Sequence, residues 1–138
     1  MSDRETADEV RRWLRYATGD LAAAERHMVD DEPRHVCWFA QQAAEKALKA
    51  VLIWLEQRYP FTHDLDALRD LIPRDWLIGQ EHPDLSVLTA WALWSRYPTE
   101  EPDPTDADAQ TAVRQARAVL DSVLRDLSSH GFDPKEPT

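Results

Sequence analysis

A single cysteine in 138 residues rules out an intrachain disulfide, and one thiol cannot assemble a zinc ligand set. With Cys37 on an apolar stretch, the expectation is a buried, inert thiol in a reducing cytoplasm. Glycine is scarce as well: only three are present, and none builds a phosphate-binding loop or a nucleophile elbow, so the enzyme classes founded on those turns are set aside. No apolar run approaches the roughly 20 residues that a bilayer-spanning helix needs, and the first residues are polar and charged, so neither a membrane span nor a signal peptide is expected. Positive charge is also in short supply, with 16 Lys and Arg against 26 Asp and Glu and a net charge of -10. Such a chain repels polyphosphate at long range, which argues against non-specific duplex binding as the main activity. A local basic groove would have to come from Arg34, Lys46, Lys49, Arg58 and Arg96. The histidines His27, His35, His63, His82 and His130 are scattered and read as surface residues rather than metal ligands. No pair of carboxylates stands out as a glycosidase would require. Neither a cofactor nor a metal is expected.

What is present is helical periodicity. The nine prolines sit mainly between apolar periodic runs, and five helical segments follow. The first, from about Thr6 to Val29, repeats Val10, Trp13, Leu14, Ala17, Leu21, Ala24 and Met28 at steps of three and four. Pro33 opens a second helix that is expected to continue to about Arg58. Thr62 caps a short third helix, from about Asp64 to Leu71. A fourth runs from near Pro83 to about Ser95 on Leu85, Leu88, Trp91, Ala92 and Trp94. Residues 98 to 104 form an acidic, proline-rich loop. Thr105 or Asp106 opens the last helix, whose core face is Ala109, Val113, Ala116, Leu120, Val123, Leu124 and Leu127. No strand pattern or internal repeat is visible. The expectation is an all-α fold, an up-and-down antiparallel four-helix bundle with an additional short helix, as one domain over residues 1–130. Residues 131–138 hold too little apolar surface to pack and are expected to form a mobile C-terminal tail. Six tryptophans, Trp13, Trp38, Trp54, Trp76, Trp91 and Trp94, are expected mostly in the core, with an exposed one available for a partner or a nucleobase.

The second helix is the most informative element. It is apolar almost all round, with Phe39, Ala40, Ala43, Ala47, Ala50, Val51 and Trp54, except for a stripe in which Gln42, Glu45, Lys46 and Lys49 share one face. The alanines let neighbouring helices approach closely, as befits a central helix. The stripe is either an ordinary wet face, with Glu45 and Lys49 as a solubilising i, i+4 pair, or the lining of a groove for a ligand or partner.

Four pieces of the chain, in this order and over roughly residues 10 to 127, resemble the HEPN family, helical domains named for higher eukaryotes and prokaryotes nucleotide-binding. They are Asp20 and Leu21 with Ala24 and Glu25; the unbroken run Ala40, Gln41, Gln42, Ala43, Ala44, Glu45, Lys46, Ala47, Leu48, Lys49, Ala50; the turn Thr62, His63, Asp64, Leu65; and Arg96, Tyr97, Pro98. The resemblance implies a helical bundle with an extra short helix, commonly paired as a homodimer. Small prokaryotic members are typically encoded beside a minimal nucleotidyltransferase and act with it, often as toxin and antitoxin.

Ribonuclease members carry an arginine followed, after four to six residues, by a histidine near the start of a late core helix. There the histidine would move protons and the arginine would stabilise phosphorane charge without a metal. This sequence departs from that pattern, since no histidine follows Arg96 at that distance. Arg58 and His63 do satisfy the spacing, but between the second and third helices, where Arg58 more simply ends a helix and His63 hydrogen-bonds around the turn. Arg96 either binds ligand or pairs with Asp20 or Glu45 inside the bundle. Tyr97 resembles the modifiable tyrosine of some ribonuclease members, although the histidine that precedes it there is absent.

The preferred reading is a non-catalytic binding module, a homodimer that partners a minimal nucleotidyltransferase or binds a nucleotide. Gln42, Glu45, Lys46, Lys49, Arg96 and Tyr97 are its expected ligand-binding residues. The alternative is a metal-independent endoribonuclease with Arg58, His63 or Arg96 at its site, and RNA as its substrate. A purely structural homodimer is a third possibility.

Overall fold

A computed structural model of the chain describes residues 1–94, 98 and 101–135. Six helices are found among them: α1 (Asp3–Val29), α2 (Pro33–Trp54), α3 (Leu65–Arg69), α4 (Leu77–Glu81), α5 (Ser86–Trp94) and α6 (Asp106–Ser129). The described residues contain no strand. The bundle consists of α1, α2, α5 and α6, with α3 and α4 as short connecting helices. The element α2 touches α1, α6, α5 and α3, as its nearly all-round apolar surface requires. Val36, Cys37, Ala40, Ala43, Ala44, Ala47, Leu48, Ala50, Val51 and Leu52 are all fully buried on it. No helix among the described residues is long and apolar enough to cross a membrane.

The core faces expected of α1 and α6 are those observed. Val10, Leu14, Ala17, Leu21 and Ala24 are buried on α1, with Trp13 and Met28 packed at the margin. Ala109, Val113, Ala116, Leu120, Val123 and Leu127 are buried on α6, with Leu124 beside them. Helix α1 starts three residues earlier than Thr6, because Ser2 accepts a hydrogen bond from the Glu5 amide at 3.1 Å and caps it. Thr105 caps α6 in a reciprocal box with Asp108.

Three helices end in one device. A residue in the left-handed region follows the C-cap, and the next amide reaches back to the carbonyl five residues before it. Asp31 (φ 56°) does this for α1, with the Glu32 amide on the His27 carbonyl at 3.0 Å. Glu56 (φ 54°) does it for α2, with Gln57 on Leu52 at 2.8 Å, so that helix stops at Trp54 and not at Arg58. Gly131 (φ 93°) does it for α6, with Phe132 on Leu127 at 2.9 Å. The last stop also corrects the expectation of an unpacked tail from residue 131. It turns Phe132 inward, where the ring is 4% exposed, edge-on to Trp54 and under the Arg11 guanidinium.

The connection between α2 and α5 differs most from expectation. Thr62 does not cap α3. Asp64 does, accepting from the Asp66 and Ala67 amides, while Thr62 accepts from the Asp64 amide. Helix α4 was not expected at all. Its own N-cap residue, Trp76, has no capping side chain, and the Leu77 and Ile78 amides instead donate to the buried Asp126 carboxylate of α6 at 2.8 and 3.0 Å. Helix α5 starts at Ser86, three residues after Pro83, where the Leu85 amide donates to Asp66 and the Ser86 amide to Asp84.

Candidate functional site

The stripe of α2 is neither a wet face nor an open groove. Glu45 and Lys49 are buried and Gln42 and Lys46 half-buried, and the stripe includes Gln41, fully enclosed one turn before Glu45. Its polar groups are therefore satisfied within the protein, as burial demands. Lys46 pairs with Asp20 of α1. Lys49 donates to Glu45 Oε2 at 3.0 Å and lies 5.7 Å from the centre of the Tyr59 ring. Gln41 donates to Glu45 Oε1 at 3.1 Å, and Gln42 donates to Gln41 at 2.7 Å. Asp20 and Glu45, the two acids considered as partners for Arg96, thus already hold Lys46 and Lys49. Arg96 and Tyr97 lie outside the described residues.

Glu45 has a third partner. The His63 ring places Nδ1 2.7 Å from Glu45 Oε1, and the His63 main-chain carbonyl accepts from Gln41 Nε2 at 3.2 Å. The abrupt stop of α2 makes this possible. The chain leaves the helix axis at Glu56 and returns along α2, bringing residue 63 back to the level of residues 41 and 45. Burial pushes the Glu45 carboxyl up, but the hydrogen bonds from His63, Lys49 and Gln41 and the Lys49 charge outweigh it and hold the group below its ordinary value. His63 is thus oriented at ring and main chain alike, while 46% of its side chain stays exposed.

His63 forms one rim of a cleft of about 620 Å³ between the Thr62–Asp64 turn and α5. The opposite wall comes from Thr89, Ala90, Ala92, Leu93 and Trp94. Leu88 and Trp91 bury one face of α5 in the core, which turns Val87, Ala90 and Trp94, at i, i+3 and i+7, outward. Trp94 is the exposed tryptophan, at 39%, and Trp76 and Trp91 are buried. Beside His63, the Phe61 ring is 94% exposed and edge-on to the imidazole at 5.9 Å. Thr89 accepts the Leu65 amide at 3.0 Å and so ties α5 to the start of α3 below the cleft.

Other candidate residues are dispersed. Arg34 lies in the first turn of α2 and Arg58 is exposed beyond its end, with the 20 helical residues 35–54 between them, on the order of 30 Å. No single basic groove contains both. The His63 ring pairs with Glu45 and its main-chain carbonyl with Gln41, not with Arg58. His82, expected at the surface, is buried, with Nε2 3.0 Å from Ser122 Oγ. His27 and His35 stack on each other at 5.1 Å beside Glu32, and His130 stacks on Trp76 at 3.9 Å. Among the described residues, no group of three or more His, Cys, Asp or Glu is placed to hold a metal ion. Gln41 and Trp94 were not singled out from the sequence. The spacing of Gln41, Glu45 and Lys49 at i, i+4 and i+8 carried the first signal, whereas nothing local distinguished Trp94 from the buried tryptophans.

Among known proteins, no curated sequence and no solved structure matches the chain. The HEPN domain family does match, over residues 10–127, a span that includes the Glu45 network, His63 and the whole described wall of the cleft. The chain belongs to the HEPN domain family.

Proposed function

We propose that this chain is a non-catalytic HEPN binding module of the cytoplasm that pairs as a homodimer, partners a minimal nucleotidyltransferase and takes a nucleotide in the cleft between α5 and the Thr62–Asp64 turn. The observation that carries the reading is the meeting, in one open cleft, of the exposed Trp94 indole and the half-exposed His63 imidazole. A flat base would stack on the indole, and apolar surface with a few polar groups is the usual character of a small-molecule site. Arg96 and Tyr97 follow Trp94 directly but for Ser95 and are the proposed phosphate contacts. Lys46 and Lys49 support the site through Asp20 and Glu45 rather than reaching the ligand. Phe61 and Leu93 add exposed apolar area around the same mouth, of the kind that self-association covers.

One observation favours a second reading, the metal-independent endoribonuclease. An imidazole oriented through Nδ1 by a buried carboxylate is equipped for proton transfer at Nε2. The test is RNA cleavage by the purified chain in excess chelator, run beside ATP binding by calorimetry and mass by light scattering. A dimer that binds ATP and leaves RNA intact supports the binding module. Cleavage that disappears in His63→Ala, with folding retained, moves the assignment to the ribonuclease. A dimer that neither binds nor cleaves leaves only a structural role.

A further inference from the structure

We propose that His63, on the described wall of the cleft, also grips the anionic group of the ligand, as an imidazolium held by Glu45, so that binding takes up a proton. This rests on the reading of the cleft as the nucleotide site and adds the chemistry by which it discriminates.

The described lining of the cleft is Thr62, His63, Asp64, Thr89, Ala90, Ala92, Leu93 and Trp94. Among these, His63 alone can become positive. The charged groups around it are few. From α2, Glu45 meets Nδ1 and Lys49 holds the other oxygen of the same carboxylate. From the turn itself, Asp64 directs Oδ1 to the Asp66 and Ala67 amides of α3. On α3, Asp66 is paired with Arg69, and the α5 wall carries no charge.

Geometry assigns the two ring nitrogens different tasks. Nδ1 faces Glu45, a carboxylate that cannot swing away because Gln41 and Lys49 hold it as well. Nε2 is therefore the edge available to a ligand. A neutral ring that donates Nδ1–H to Glu45 has only a lone pair at Nε2, which repels a phosphate oxygen. Adding one proton from solvent turns that atom into a donor, gives the ring a positive charge between two anions, and leaves the Nδ1–H bond in place. No heavy-atom bond changes. Glu45 is a positioning residue here, acting on the ligand only through His63.

The experiment is calorimetric titration of the intact protein with ATP and with adenosine, from about pH 6 to about pH 8.5, in two buffers of different ionisation enthalpy. The His63→Gln variant is measured in parallel, so that the ligand's own ionisation cancels. The expected result is proton uptake with ATP that the wild type shows and the variant does not, growing from the acidic end, and ATP affinity that falls by at most about tenfold per pH unit toward the alkaline end. Adenosine, with no anion, should bind without this dependence. His63→Gln should weaken ATP about 10- to 100-fold at the acidic end and leave adenosine unchanged. Glu45→Gln should move the midpoint of the pH profile downward while ATP still binds at the acidic end, a shift that mere loss of packing does not produce. If Glu45→Gln does not fold, His63→Gln decides alone, since its side chain is half-exposed. ATP binding with no difference in proton uptake between wild type and His63→Gln overturns the inference and leaves the cleft as the site. Failure of both ligands to bind at every pH overturns the cleft reading and this inference with it.

Discussion

Glu45 does three jobs with two oxygens: it neutralises Lys49, receives Gln41 and orients His63. Residues of this kind hold a site together because each lost bond strands a buried partner. Cys37 shows the opposite behaviour. Burial, with a smaller contribution from the Asp108 charge, pushes its thiol up to about 12. It should therefore resist a thiol-reactive disulfide reagent at neutral pH in the native protein and react fully once denatured, which a colorimetric thiol assay reads directly. Fast native labelling would show that α2 opens. Glu56 supplies a third test. A non-glycine residue at φ 54° carries strain that glycine does not. Glu56→Gly should raise stability by about 0.5–1 kcal/mol, after the entropy cost of glycine, in urea denaturation. Its side chain is exposed, so no contact is lost.

Among elements, α4 depends most on the rest of the fold. Five residues cannot sustain a helix alone, and α4 exists because Asp126 of α6 receives its first two amides. Asp126→Ala would leave those amides without their acceptor and should cost about 2–4 kcal/mol. Hydrogen exchange should show protection lost first over residues 76–82, and retained protection there would mean that packing alone holds α4. Helix α2 depends instead on its own alanines and on the stop at Glu56. That stop was illegible in the sequence because glutamate occupies a position where glycine would have signalled it, and the periodicity of the preceding run predicted continuation to Arg58. The 63-to-45 contact was illegible for the same reason, since it follows from the reversal that the stop creates.

At the scale of the molecule, two buried groups set the response to acid. Burial pushes His82 below its ordinary value of 6.5, with Arg125 and Arg69 adding to this against the Ala118 carbonyl and Glu81. Glu45 is held below its ordinary 4.5 by His63, Lys49 and Gln41 in spite of burial. In both cases the folded protein binds fewer protons than the unfolded chain, so the stability they contribute is complete above the ordinary values and is lost as pH falls. The exposed Asp106, pushed up by Asp31, has the opposite sign: its contribution is complete below its ordinary value of 3.8 and is lost as pH rises through the raised folded value. Thermal denaturation should give a constant Tm between about pH 7 and 8, a first decline below about pH 6.5 and a second below about pH 4.5. His82→Gln should remove the first decline, and its persistence would assign that decline elsewhere.

The sequence by itself determined the all-α class, the core faces of α1, α2 and α6, the start of α6 to within one residue of Thr105, the burial of Cys37 and the family. Each of these follows from spacings of three and four residues, from a cap beside its helix, or from a short run read as a string. Tertiary structure alone decided that the α2 stripe is an internal network, that His63 rather than a lysine stands at the open cleft, that Asp126 builds α4, that His82 is buried and that Phe132 returns to the core. The physical reason is common to all but Phe132, which the Gly131 stop turns inward. A buried polar group takes the nearest satisfying partner in space, and the partners of His63, His82 and Asp126 lie 18 to 49 positions away in the chain, where no local pattern reaches.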